Sequence, residues 1–593
     1  MSKQRSQKCG QEDKKPENVP GQEYITDEHF KSGILPGFQH LWETKLLCDV
    51  TLVAQGQAFQ THRCYLAASS QYFYSMFTGN FQESTEKQVE IKAVTAQGLE
   101  AILNYIYTGK LHLSQDNITN VLQASSHLQI LEAQKVCVQY LQEFLSVDNC
   151  LEFLKLAELY SLEAATSTIR GFLLTNFVDI AQTEHFSSLS FDLIQDLLSS
   201  DELHAESELV LYNIAVKWLK EETDRIRYAE RIMSLIRYGL LTQEEMEIVS
   251  DNITKDIALL SYCQKYIQAA MKYHMKLFEQ PLMDVPMAQP RECVGSLVTF
   301  GGLHTAPVPD SKILASHLNG DHFGEFTPIG HLKRGLYNAC LVVVNHFAYI
   351  VGGQTCHDQR GQNATACVYR CNFRDGKWLQ VAAMNKPRTR FSVMALSDCL
   401  LAVGGTGAER SVERYSFKCN EWHELPELSF SVTDHAGCAH MNDAYISGGV
   451  RNGRETNKVS CYRAQKEEWR GKCPMNMKRS LHAMVAHNDK LIVCAGRKGE
   501  NDILTIEMYD VYMEQWTMLS HTLHGTLQAG ATVCDNSVFI LGGVSQESKR
   551  SLHAIQSYDL DTNQCCVLDT RLPQAMRGFC VAYVKIPRSL SVQ

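Results

Sequence analysis

Six times in the second half of this chain a short apolar run ends in two glycines or a near match. The runs close at Gly301-Gly302, Gly352-Gly353, Gly404-Gly405, Gly448-Gly449, Ala495-Gly496 and Gly542-Gly543, after stretches such as Ala348-Tyr349-Ile350-Val351 and Val538-Phe539-Ile540-Leu541. Their second glycines fall 51, 52, 44, 47 and 47 residues apart. A repeat near 50 residues built on short β runs has the period of a propeller blade, and six copies predict a six-bladed, all-β propeller. Such a fold displays loops to a partner, so the repeat points to function in what its faces bind.

A second marker recurs in the same register. Tyr415 and Trp422, Tyr462 and Trp469, and Tyr509 and Trp516 stand seven residues apart; Cys371 with Trp378 and Tyr558 with Cys565 keep the spacing with one partner replaced. Large aromatics at one place per repeat suit the gap between blades, where a Trp buries on the order of 200 Å². The glycines let a strand end pass close to the adjoining sheet without a Cβ clash. The first glycine pair lacks the apolar strand that precedes the others, whereas Gly578-Phe579-Cys580-Val581-Ala582-Tyr583-Val584 is a strand with no glycine pair after it. This last strand is expected to complete the first blade and close the ring, removing an open sheet edge. Between His304 and Phe326 no clean Tyr and Trp pair is present, so the first blade is expected to be irregular.

The first half reads differently. Residues 1–22 are polar and charged and predict a disordered tail. A helix carrying Phe38, Leu41 and Trp42 on one face follows, then two short strands around Gln55-Gly56-Gln57, a helical stretch from Arg63 to about Phe77, a strand over Gln88–Ile91 and further helices to Phe144. From Val147 to about Phe278 the pattern is helical, with Leu211, Ala215, Trp218 and Leu219 as one stripe. Proline-marked residues 280–292 read as a linker before the propeller at 293–588 and a tail at 589–593.

At 593 residues the chain has room for several domains. Its formal charge of -10 gives no basic field for nucleic acid. No run approaches the roughly 20 apolar residues of a membrane span, and the first residues lack a signal-peptide core. A soluble, intracellular protein is expected, in the cytoplasm, with the nucleus and cytoskeleton as further locations. Its 21 cysteines then read as reduced thiols, and its three Asn-x-Thr sequons as unmodified.

The run Cys48-Asp49-Val50-Thr51-Leu52, followed by His62-Arg63, Leu66-Ala67-Ala68-Ser69-Ser70-Gln71-Tyr72-Phe73, Met76-Phe77 and Tyr105-Ile106-Tyr107-Thr108-Gly109, resembles a BTB domain (23–145) of α+β fold. Asp148-Asn149-Cys150-Leu151, Ala157-Glu158, Val216-Lys217-Trp218 and Ser234-Leu235-Ile236-Arg237 resemble the all-α BACK domain (146–279). With the six kelch-like repeats, the chain resembles the kelch-like family. That resemblance implies a BTB homodimer that binds cullin-3, and a propeller that captures a protein for ubiquitination. Phe81-Gln82-Glu83 matches the family's hydrophobic-x-Glu cullin contact, so Phe81 and Glu83 are the expected cullin-binding residues; the other reading of Phe81 is a loop aromatic folded onto its own domain. Phe38, Leu41 and Trp42 have a core reading and a dimer-interface reading, and the BTB pattern favours the interface. A cytoskeletal scaffold with actin as partner is the competing function.

Chemistry of the chain's own is not expected. Asp49, His62 and Arg63 lack a nucleophile motif and read as satisfied structural groups. Cys356, His357, Cys367 and Cys371 do not have zinc-ribbon or finger spacing, so neither metal nor cofactor is expected. Cys419 and Cys473, beside Lys418 and Lys472, have a redox-sensor reading and an ordinary-thiol reading, and the ordinary one is expected. Loops before the innermost strands carry Arg334, Tyr337, Arg388, Arg390, His435, Arg479 and His482, the expected substrate-binding set. Several arginines on one face would suit an acidic degron, and Pro387-Arg388-Thr389-Arg390 resembles the arginine-bearing loop of family members that bind acidic peptides.

Overall fold

The computed structural model describes residues 28–254, 257–304, 308–358, 360–588 and 590, so the tail expected at 1–22 lies outside the described residues. The chain divides into two compact units, 1–173 and 174–593. That division runs through the region expected to be helical, 146–279. No helix among the described residues is long and apolar enough to cross a membrane.

In the first unit Val50–Ala54 lies between Gln57–Thr61, antiparallel, and Gln88–Glu90, parallel. Both turn residues of the hairpin, Gln55 and Gly56, have positive φ, as a tight hairpin demands. Helices Ala96–Thr108, Ile118–His127 and Leu131–Glu143 follow. The helical stretch expected from Arg63 to Phe77 is two helices, Arg63–Ser69 and Gln71–Thr78. Ser70 divides them: its backbone is extended, and its hydroxyl accepts the Tyr72 and Phe73 N–H groups while donating to Leu128 O.

The second unit begins with helices that bury the expected stripe of Leu211, Ala215, Trp218 and Leu219. Residues 280–292 are not a free tether. They form two single turns, Gln280–Leu282 and Pro286–Ala288, and Arg291 is buried among the helices, donating to Glu208 Oε1 at 2.6 Å and to the carbonyls of Leu198, Ser200 and Leu235. The helices and the segment after them also grip the second of the sheets that follow at one end: Asn345 Nδ2 donates to Pro281 O at 2.8 Å, Arg370 to Leu277 O at 2.6 Å, and Arg374 to the Tyr273 hydroxyl.

Among the described residues six antiparallel sheets of four or five strands follow, with three smaller sheets of two or three strands in the loops between them. In the first, Cys293–Phe300 pairs with Lys312–Asn319 on one side and with the C-terminal strand Cys580–Pro587 on the other, over eight residues. Its outer part is irregular, as expected: Thr327–His331 joins with a bulge, and His322–Phe323 is a two-residue strand. Leu590, placed by the sequence reading in a tail, is buried against Phe373 and Cys371 of the next sheet. The other five have four strands each, beginning at Cys340–Val344, Ser392–Ala395, Ala436–His440, Ala483–His487 and Gly530–Cys534. Each of these innermost strands packs against the next, and Cys340–Val344 packs against Cys580–Pro587. Tyr415 and Trp422, Tyr462 and Trp469, and Tyr509 and Trp516 face each other across the two outer strands of their sheets, rings 5.1 to 5.3 Å apart. The Trp422 and Trp516 indoles donate to Ala382 O and Cys473 O of the preceding repeat.

The glycine pairs are explained by what lies on them. Phe391, His435, His482 and Phe579 occupy one equivalent position, just before the innermost strand, and each ring is packed between glycines of two consecutive sheets. A Cβ on Gly448 would stand 2.7 Å from His482 Cε1, and one on Gly496 2.6 Å from His482 Cβ. Ala495, at φ +61, is the one side chain in a first-glycine position. The residue that follows it in the ring position is Ala529, whose short side chain leaves room for the Ala495 methyl. Ala529→Phe is therefore expected to lower stability by about 1 to 3 kcal/mol through overpacking, and Ala495→Gly in the same chain to recover most of that loss, read from urea-unfolding midpoints.

Candidate functional site

Phe81 is 59 % exposed and begins the single turn Gln82–Ser84. Its ring lies over Gly79, where a Cβ would stand 2.7 Å from both Phe81 Cδ2 and Ser75 O. Arg63 holds the turn from behind. Its guanidinium donates to the carbonyls of Glu83 at 3.0 Å, Ser84 at 2.8 Å and Glu86, and sits over the Phe77 ring. Asp49 Oδ1 in turn accepts the Arg63 backbone N–H at 2.8 Å. His62 bonds the Tyr107 hydroxyl and Leu46 O. Asp49, His62 and Arg63 are thus structural, and Arg63 is the residue that positions Phe81 and Glu83.

Helix Glu28–Glu43 directs Phe38 and Trp42 onto their own domain. Phe38 stacks on Tyr65 at 4.4 Å, Trp42 stacks on Tyr107 at 4.5 Å, and the indole donates to Gln60 O. Leu41 is half-buried, and Leu46 and Leu47, just beyond the helix, are exposed.

The seven residues expected at the recognition face separate into three groups. Arg388 and Arg479 do not belong to a surface: both side chains are fully buried. Arg388 pairs with Glu413 and donates to Gly404 O and Ser411 O; Arg479 pairs with Glu507 at 2.7 Å and donates to Ala495 O and Thr505 O. Each carboxylate also accepts two backbone N–H groups, from Asn385 and Lys386 or from Asn476 and Met477. The sequence carried a signal for this. Loop arginine and strand glutamate occur together in the third and fifth sheets, whereas the fourth has Val432 and Ser460 at the same two places.

Tyr337, His435 and His482 are also buried, the histidines as the inter-sheet rings described above. Ser392 Oγ lies 2.8 Å from His435 Nε2, and Ser447 Oγ 2.9 Å from His482 Nε2. Burial, with Arg451 the next cause, pushes the His435 pKa down to about 3; burial with Arg479 lowers that of His482. Arg334 and Arg390 remain. Arg334 is exposed, and Arg390 is 24 % exposed with its Nε 3.9 Å from Asp434 Oδ1.

Arg390 and Asp434 belong to a belt that sequence reading missed. Asn338, Arg390, Asp434, Leu481, Gln528 and Gly578 all have φ between 50° and 59°. Backbone N–H groups link them from sheet to sheet: Asp434 to Arg390 O, Leu481 to Asp434 O, Gln528 to Leu481 O, Gly578 to Gln528 O and Asn338 to Gly578 O, at 2.8 to 3.1 Å. Between Asn338 and Arg390 the Thr389 hydroxyl makes the link, at 3.4 Å. Gly578, Asn338 and Asp434 are types that favour a left-handed backbone, but Arg390, Leu481 and Gln528 are not, so no shared residue type marks the set in the sequence.

Among the described residues no three His, Cys, Asp or Glu side chains come together in a way that could hold a metal ion. Cys371 of the cysteine cluster is buried in the apolar core, and Cys419 and Cys473 are exposed.

Comparison with known proteins accounts for both units. Residues 38–145 match the BTB/POZ domain, 150–250 the domain described as BTB And C-terminal Kelch, 338–526 the KLHDC2/KLHL20/DRC7 Kelch-repeats domain, and 525–570 the Kelch motif. The chain is 31% identical over 574 residues to Kelch-like protein 26 of Homo sapiens, covering 94% of this chain and 92% of the relative. It is 30% identical over 557 residues to Kelch-like protein 36 of Bos taurus, covering 91% and 90%. Three modules in this order define a BTB-BACK-kelch protein, and the chain belongs to the kelch-like family.

The buried histidines give the sheets an acid-sensitive stability. The folded pKa of His435 lies below the unfolded one, so the unfolded chain takes up the proton first as pH falls. The contribution is complete above about pH 6.5 and is lost toward pH 3. His435→Phe, which installs the ring found at Phe391 and Phe579, is expected to spare about 2 kcal/mol of the loss at pH 5. Unfolding midpoints of both proteins between pH 7 and 5 check this.

Proposed function

We propose that this protein is a non-catalytic substrate receptor of a cullin-3 ubiquitin ligase. The exposed Phe81, with Glu83 on the turn that Arg63 braces, carries the reading. An exposed apolar anchor with a neighbouring carboxylate has the composition of an interface hot spot. Its position within the matched BTB/POZ domain supports the same assignment. The BTB domain forms a homodimer in this reading, with Leu41 and the exposed Leu46 and Leu47 at the seam.

The six sheets close into one propeller. The belt of left-handed residues and the pairing of Cys580–Pro587 with Cys293–Phe300 support closure. The loop end of that propeller captures the protein substrate, with Arg334 and Arg390 the residues retained from the sequence-derived set and an acidic segment the class of ligand. The catalysis belongs to the ligase partners, and the receptor supplies proximity. The cytoplasm is the compartment this function needs.

Calorimetry with the N-terminal region of cullin-3 tests the reading. Because the Phe81 side chain is largely exposed, Phe81→Ala/Glu83→Ala is expected to leave the free energy of unfolding within about 1 kcal/mol of wild type while abolishing cullin-3 binding. Absence of wild-type binding would overturn the ligase assignment and promote the cytoskeletal one, read from sedimentation with actin filaments.

A further inference from the structure

The helices of the second unit, the connecting segment and the first sheet border a cleft of about 700 Å³, a volume that suits a small organic molecule. Leu235 and Arg237 line it from the helices, Pro286 and Met287 from the connecting segment, and Cys293 and Lys585 from the first sheet. Its walls are fixed by bonds made around it. Arg237 donates to Gln289 O at 2.8 Å, and the Glu292 N–H donates to Asp201 O at 2.6 Å. The turn Pro286–Ala288 lies directly on Gly239, where a Cβ would stand 2.8 Å from Met287 O. Glu292 has a φ of 51°, a left-handed backbone that a residue other than glycine keeps only when its surroundings impose it.

Most polar groups on these walls are already engaged. Asp201 pairs with Arg237, Asp284 accepts from Gln289 Nε2, and Glu292 Oε2 lies 2.7 Å from His204 Nδ1. His346 Nε2 lies 2.5 Å from Gln289 Oε1, and the Ser199 and Ser234 hydroxyls donate to Asp196 O and Arg231 O. Lys585 is different. Among the described residues its ammonium makes no hydrogen bond and no ion pair, and its side chain is exposed. Burial pushes the Cys293 thiol up to about 11, so it stays neutral, and the charges of Arg237, Lys585 and Arg374 act on its sulfur against that of Asp201. Glu202 is the one lining acid without a partner among the described residues, and it faces solvent.

We propose that this cleft is a binding site for a small amphipathic anion, its apolar body against Leu235, Pro286 and Met287 and its acidic head at Lys585 beside Cys293. Walls whose polar groups already satisfy one another favour an uncharged body, and a free ammonium is the one wall group that gains a charge-assisted hydrogen bond from the head. The site is at the helix end of the sheets and is independent of what the opposite, loop-bearing end captures. A ligand seated there touches helices and sheet at once, so it binds the assembled joint and stabilises it.

The test is a fluorescence titration of the full chain with 8-anilinonaphthalene-1-sulfonate, an aromatic anion, against N-phenyl-1-naphthylamine, which has the same rings and no charge. A saturable component of one anion per chain is expected, with the uncharged dye at least tenfold weaker. Displacement by decanoate or by decyl phosphate is expected too, and the stronger competitor identifies a carboxylate or a phosphate head. Lys585→Ala is expected to weaken the anion at least fivefold and leave the uncharged dye unchanged, and Lys585→Glu to abolish the anion component. Met287→Trp, which fills the cleft, is expected to weaken both dyes at least tenfold. Lys585 is exposed, so its variants keep the wild-type thermal midpoint and decide the matter even where Met287→Trp does not fold. Exposed apolar side chains elsewhere, Phe81 among them, also attract such dyes. An anion component of unchanged affinity in Lys585→Glu would therefore put the dye on another surface and overturn the proposal. So would no saturable component, equal affinity for the two dyes, or displacement by neither competitor.

Discussion

The second unit depends on close approach between consecutive sheets. Four innermost strands are preceded by a ring laid on glycine backbone of two sheets at once, and the other two by Ala339 and Ala529, each laid on the glycine of one sheet; where the first glycine is absent, at Ala495, the residue in the ring position is Ala529 rather than Phe or His. This packing sets how near the sheets stand. The belt of left-handed residues is its consequence: the backbone must turn sharply after the ring-bearing loop crosses from one sheet to the next. The N–H groups exposed by that turn are then satisfied by the neighbouring carbonyl. A residue in this conformation costs up to about 1 to 2 kcal/mol when it is not glycine, a cost that five non-glycine residues sustain because each turn is held from both sides.

The same geometry sorts the charges. A loop arginine two residues before the belt points into the sheet and meets a strand glutamate, as Arg388 and Arg479 do. An arginine on the belt points toward the loop surface, where its partners are few. Arg388 and Arg390 are separated by one residue and yet have opposite roles, one a core ion pair and the other a loosely held cation. Removing one member of a buried pair leaves an uncompensated charge, so the first kind is intolerant of substitution for reasons that have nothing to do with recognition.

This is also why the sequence could be read so far and no further. The glycine period, the Tyr and Trp spacing, the helical stripe around Trp218 and the surplus C-terminal strand were legible because each is a one-dimensional pattern with a direct packing cause. Phe81 was singled out through its resemblance and its place in the chain, and the structure adds that its side chain is exposed. The recognition set was not. Arg388, Arg479, His435 and His482 were assigned to the surface because loops are polar and exposed as a rule, but here the loop before each innermost strand dips between sheets. Whether one of its residues faces core or solvent changes from one position to the next. The partners that decide the matter, Glu413 and Glu507, lie 25 and 28 residues further on.

The seat of the helices fixes which face remains for a partner. Within the second unit, Asn345 and Arg374, in hairpin turns at one end of the second sheet, and Arg370, one turn from that end, are engaged by Pro281, Tyr273 and Leu277. Arg291, buried among Glu208 and three carbonyls, ties the connecting segment to the same helices. Strands alternate in direction, so the loops carrying Arg334, Arg390, Asp434 and Arg497 all lie at the opposite end. A ligand there meets no competition from the helices. The connection between the helices of the second unit and the sheets is made by part-buried hydrogen bonds rather than by a flexible tether, so in the proposed function a substrate on the loop end would keep a defined orientation to those helices. For a receptor that acts by proximity, that fixed presentation is the physical property that matters.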